Sequence, residues 1–166
     1  LEKARNVEDD MLALDIAFML INESEEAFQY EDDSDGFVGF WISDIHDFIG
    51  EIITDNCDSD RDTKVKIFDR LMEEIKNKSI RSGNDYQFYL FDLCAELADI
   101  EELRYRLRER IETIIEKNSV DSLNRYYNER FLELILQMIV DYESEEEALK
   151  FTEEHLSYST FRTILI

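Results

Sequence analysis

Apolar residues recur every three or four positions along nearly the whole chain, and the polar breaks between them are short, which is the periodicity of amphipathic helices. The first stripe is Met11, Leu14, Phe18 and Ile21, at i, i+3, i+7 and i+10, inside a helix predicted over about 5–29. The polar run Glu31-Asp32-Asp33-Ser34-Asp35-Gly36 separates it from a second helix over about 37–55, with Trp41, Ile45, Phe48, Ile49, Ile52 and Ile53 facing inward. The break around Asp55–Asp60 offers Asp58 or Ser59 as an N-cap. It opens a third helix over about 61–77 that carries Val65, Phe68, Leu71, Met72 and Ile75. Ser82-Gly83-Asn84 marks a loop. Further helices are predicted over about 85–97, 99–117, 120–142 and 144–156, and a stub from 158 begins an eighth.

Two features turn this pattern into a fold class. The chain has no proline and only four glycines, so helix breakers and tight-turn residues are nearly absent. A shift of 42 residues lays Leu90, Leu93, Cys94, Leu97 and Asp99 on Leu132, Ile135, Leu136, Ile139 and Asp141. A helix pair repeated at a period near 40 is the signature of an α-solenoid. The expectation is an all-α fold of antiparallel helical hairpins, about seven helices plus a partial eighth, as one helical-repeat domain over 1–166. The chain begins without Met and stops at Phe161-Arg162-Thr163-Ile164-Leu165-Ile166, which reads as a helix cut short and so as a fragment of a longer protein.

Charge narrows the choice of partner. The formal net charge is −23, and the first 60 residues hold 18 acids against only Lys3 and Arg5. Nucleic-acid binding runs on phosphate neutralisation by Lys and Arg, so this balance excludes it for this segment. It equally excludes adhesion to an anionic membrane surface. No stretch approaches the ~18 apolar residues of a membrane span. A solvated acidic face, or a docking surface for a basic partner, remains. Two isolated cysteines, Cys57 and Cys94, make no disulfide framework, and a reducing, cytoplasmic setting is expected.

The run Asp32–Gly39 leading into an apolar helix, and the run Tyr126-Tyr127-Asn128-Glu129-Arg130-Phe131-Leu132-Glu133-Leu134 followed by Ser144–Leu149 and Glu153-Glu154-His155-Leu156, resemble a known helical region. It lies C-terminal to the zinc finger in bacterial SWIM zinc finger proteins and their uncharacterised relatives. The C-x-C…C-x-H ligand set of the finger itself is absent here. The resemblance implies a tetratricopeptide-like arrangement of the hairpins and a larger parent protein. It implies no activity.

Candidate chemistry is sparse. Glu31-x-Asp33-x-Asp35-Gly36 fits positions 1, 3, 5 and 6 of a calcium loop, but Ile42 stands where the bidentate Glu belongs, so a capped turn is expected. Asp55, Asp58, Asp60 and Asp62 read as another capped loop. His46 has polar neighbours and is expected near an exposed face; His155 ends a helix, where a cation suits the dipole. A Cys57–His46 dyad has no supporting signature. Arg104 and Arg108 share a helix face, as do Arg106 and Arg110, and either neutralise acidic neighbours or read an acidic motif. Aromatic residues at 86–91 and 126–131 fill a core, with Tyr86 or Tyr126 as lining of a peptide groove.

No nucleophile–base pair, metal set or glycine-rich phosphate loop is written in the sequence. The expectation is a non-catalytic interaction or scaffolding domain without cofactor, binding a protein or peptide partner of basic character. Tyr86, Tyr126, Arg104 and Arg108 are the candidate contacts. The alternatives are a structural accessory domain that positions an attached zinc-finger module and, more remotely, a metal-dependent enzyme.

Overall fold

The computed structural model describes residues 1–2, 4–28, 37–77, 85–117 and 122–164, and among these every regular element is helical. A 3-10 turn at Ala4–Asn6 precedes eight α-helices: α1 Asp10–Phe28, α2 Phe37–Asn56, α3 Arg61–Asn77, α4 Asp85–Glu96, α5 Glu101–Lys117, α6 Ser122–Tyr142, α7 Glu145–Glu154 and α8 Ser159–Ile164. The acidic run 31–36 and the Ser82–Asn84 loop lie outside the described residues, so the first six positions of the calcium-like pattern do too. The chain forms two compact units, Leu1–Glu96 and Leu97–Ile166.

In the first unit, α1 packs along α2, α3 packs along α4, and α2 also touches α4. Asn56 Nδ2, at the end of α2, donates 2.9 Å to Asp10 at the start of α1, so these two helices run antiparallel. Leu14, Phe18 and Ile21 are buried as the periodicity predicts, joined by Ala13 and Ala17. Helix α1 starts five residues later than predicted. Asp9 Oδ1 accepts from the N–H groups of Met11 and Leu12, satisfying two donors that a helix start leaves open, and this cap halts the helix at Asp10. The cap of α3 is Asp60 rather than Asp58 or Ser59: its Oδ1 accepts from Asp62 and Thr63 N–H. Ile45, Phe48, Ile49, Ile52 and Ile53 are buried, but Trp41 is 48% exposed although the stripe points it inward.

Helix α4 departs from amphipathicity. Tyr86, Gln87, Phe88, Leu90, Phe91, Leu93 and Cys94 are all buried, so this helix is covered nearly all round, as a central helix must be.

In the second unit, α6 packs against α5 and α7, and α8 packs against α7. Leu103, Leu107, Ile111 and Ile114 form the buried stripe of α5. A complete capping box opens α7: Ser144 Oγ accepts from Glu147 N–H at 3.2 Å while Glu147 reaches back to Ser144. All eight apolar positions matched by the 42-residue shift are buried. Of the two matched helix pairs, α6–α7 lies within the second unit, while α4 belongs to the first and α5 to the second.

Candidate functional site

On the outer face of α2, exposed aromatic and acidic side chains coincide. Positions 40, 44, 47 and 51 are spaced i, i+4, i+7 and i+11, so they fall on one helical face. They are Phe40, Asp44, Asp47 and Glu51. Phe40 is 72% exposed, beside the half-exposed Trp41. The three carboxylates lie below it towards the C-terminus of α2, with Asp47 exposed and the Asp44 and Glu51 side chains half in solvent.

One cation is already seated on this face. Arg5, in the 3-10 turn, reaches Asp44 Oδ1 at 3.5 Å with Nη2 and pairs through Nη1 with Glu51. Its guanidinium carbon sits 5.0 Å from the centroid of the Phe48 ring. Asp44, Phe48 and Glu51 are spaced i, i+4 and i+7, an acid–aromatic–acid triplet that offers a guanidinium two carboxylates and a ring face at once. Beside it lies a cleft of about 200 Å³ lined by Arg5 and Val7 of the N-terminal segment together with Asp10, Phe48, Glu51 and Asp55. The spacing of the triplet is visible in the sequence. That Arg5 would meet it is not, because the predicted first helix absorbed Arg5.

On the opposite side of α2, His46 stacks on Tyr86 with ring centroids 4.8 Å apart and planes 4° from parallel, and on Tyr89 at 5.1 Å. The Tyr89 hydroxyl donates to the His46 carbonyl. Burial, reinforced by the negative charge of Asp47, pushes the Tyr89 hydroxyl up to about 12. His46 is therefore half-buried in an aromatic stack, where its polar sequence neighbours suggested an exposed face. Tyr86 is 6% exposed and belongs to this stack, so it offers almost no surface to a groove.

The other sequence candidates lie in the second unit. Arg104 donates to the Ala98 carbonyl at 2.7 Å, lies 3.6 Å from Glu143 and covers the Tyr142 ring. Arg108 pairs with Glu112 at 2.9 Å and lies over Phe151. It lines a cleft of about 150 Å³ with Glu143, Glu147, Lys150 and Glu154. Both guanidiniums are thus engaged by acids of their own unit, and Glu143 joins their surroundings. Tyr126 is 56% exposed, edge-on to Tyr127.

Cys57 Sγ lies 3.8 Å from Glu96 Oε2, and burial followed by that carboxylate raises its pKa, which works against thiolate formation. Cys94 is fully buried, as a small apolar residue would be. His155 caps α7, and its Nδ1 lies 2.8 Å from the Phe151 carbonyl; since a carbonyl only accepts, Nδ1 carries the proton. Among the described residues, no group of three or more His, Cys, Asp or Glu side chains is arranged to hold a metal ion. Nor is any helix there long and apolar enough to cross a membrane. No protein-family model matches the chain, and neither curated proteins nor solved structures give a match.

Proposed function

We propose that this chain is a non-catalytic interaction or scaffolding module whose partner is a basic protein segment engaged by the outer face of α2. The carrying observation is the coincidence there of a 72%-exposed Phe40 with a row of solvent-facing carboxylates. An exposed aromatic supplies apolar area at low entropic cost, and the acids supply steering and selectivity against acidic partners. The sign of the unit supports this choice: residues 1–96 hold 25 acids against 9 bases. The 42-residue periodicity supports a tetratricopeptide-like stacking of the hairpins, and the cysteine usage supports a cytoplasmic setting.

The test is calorimetric titration with a short arginine–glycine repeat peptide at physiological ionic strength. Saturable binding is expected, weakened about tenfold by Phe40→Ser, the scale of a minor aromatic anchor. The same peptide should be indifferent to Leu149→Ser, which removes a half-exposed apolar side chain from α7. Absence of saturable binding, or equal losses in the two variants, would overturn the reading.

A further inference from the structure

We propose that Arg5 is an internal competitor: the N-terminal segment of residues 1–9 occupies, in cis, the guanidinium cradle of α2 that a basic partner uses, and must be displaced for full binding. The inference rests on the partner reading above and adds a regulatory contact to it.

Four observations carry it. The cradle holds a guanidinium, with Asp44 and Glu51 on either side and the Phe48 ring beneath, so its ligand chemistry is displayed by its own occupant. That occupant comes from the most acidic stretch of the chain, where Lys3 and Arg5 are the only bases among 60 residues. Placing Arg5 on these particular acids leaves Phe40 and Asp47, on the same face, open for a partner's first contact. Finally, the segment is lightly held. Its backbone closes on itself, through Arg5 N–H to the Leu1 carbonyl and Val7 N–H to the Ala4 carbonyl. Among the described residues, its side-chain contacts with the unit include the buried Ala4 methyl, the half-buried Val7 beside the cleft, and Arg5. Exposed ion pairs of this kind are weak and exchange readily with another cation.

The geometry gives an order of events. A partner arginine lands on Asp47 and Phe40, and a second one takes over Asp44 and Glu51 as Arg5 leaves. The 3-10 turn then loses its anchor and frays back to the Asp9 cap of α1.

The experiment uses the whole chain and the same arginine–glycine peptide. Arg5→Gln is expected to bind it about fivefold more tightly than the parent, the gain expected when a single exposed pair stops competing. Lys76→Gln makes the same change in net charge at an exposed site on α3 and should leave affinity unchanged. Hydrogen exchange gives the second readout: amides of residues 4–7 should lose protection in Arg5→Gln, and in the parent when peptide is added. If Arg5→Gln and the parent bind equally, the competition is overturned while the basic-partner reading stands. If Lys76→Gln tightens binding as much, the gain is mere charge and the cradle plays no part. If neither protein binds, both readings fall.

Discussion

At the scale of single residues, the clearest tension is between Gly50 and Tyr89. A Cβ placed on Gly50 would lie 3.0 Å from the Tyr89 hydroxyl oxygen, closer than ordinary contacts allow. That hydroxyl cannot retreat freely, because it donates to the His46 carbonyl. Alanine raises helix propensity by about 1 kcal/mol over glycine, so Gly50→Ala should stabilise a helix interior. Here it is expected to destabilise the protein, and to stabilise it in a Tyr89→Phe background; a double-mutant cycle in urea checks this. Tyr89 also sets an alkaline limit. Its hydroxyl ionises only near 12 when folded, against an ordinary 10, so the stability it contributes is complete below pH 10 and is lost as the pH climbs towards 12. Absorbance titration should contain a late component that is lost in Tyr89→Phe. None of this was legible in the sequence. The aromatic cluster at 86–91 announces a core, but Gly50 and Tyr89 stand 39 positions apart and meet only through the packing of α2 on α4.

At the scale of elements, helix periodicity carried most of the information. The second to seventh helices end within two residues of their predicted bounds, because polar breaks separate them and all but α4 carry an apolar stripe. The exception at the start of α1 has a local cause. Asp9 captures the first free amides, and the sequence offers several other acids nearby that look equally able to cap. The face of α2 was half legible. The periodicity places both Phe48 and Trp41 in the core, yet only Phe48 is buried and Trp41 lies half-exposed, and the acids add to the net charge without declaring the face they share. Helix α7 shows how much a cap matters to a short element. It has ten residues and buries only Phe151 and Thr152, so its complete capping box is a large share of what fixes its start. Ser144→Ala is expected to cost about 1 kcal/mol by chemical denaturation, and Ser144→Asp much less, since Asp caps as well as Ser.

At the scale of the whole molecule, charge is the dominant property. With 41 acids against 18 bases, like charges repel in the compact state, and expansion on unfolding relieves them. Salt shortens the screening length from ~30 Å at 0.01 M to ~10 Å at 0.1 M, which weakens distant repulsion more than close pairs. The melting temperature is therefore expected to rise between 0.01 and 0.2 M sodium chloride; a fall would mean that local ion pairs govern stability. Long-range organisation also decides the fate of the C-terminal end. Helix α8 has six residues, too few to persist alone. The amide of Thr160 donates 2.8 Å to Glu129 of α6, 31 positions away, and the Ser159 hydroxyl donates to the same carboxylate. Arg125 of α6 holds the Ser157 carbonyl, and Phe161 is fully buried. These donors hold the Glu129 carboxyl below its ordinary 4.5, so acid should release α8 as the pH falls through that lowered value, while above 4.5 the tether is intact. A helix that borrows its cap from so far away cannot nucleate by itself. It must wait for α6 and α7, so it is the last element to assemble and the first to come undone, and limited proteolysis after mild acidification should nip the chain there before anywhere else in the second unit.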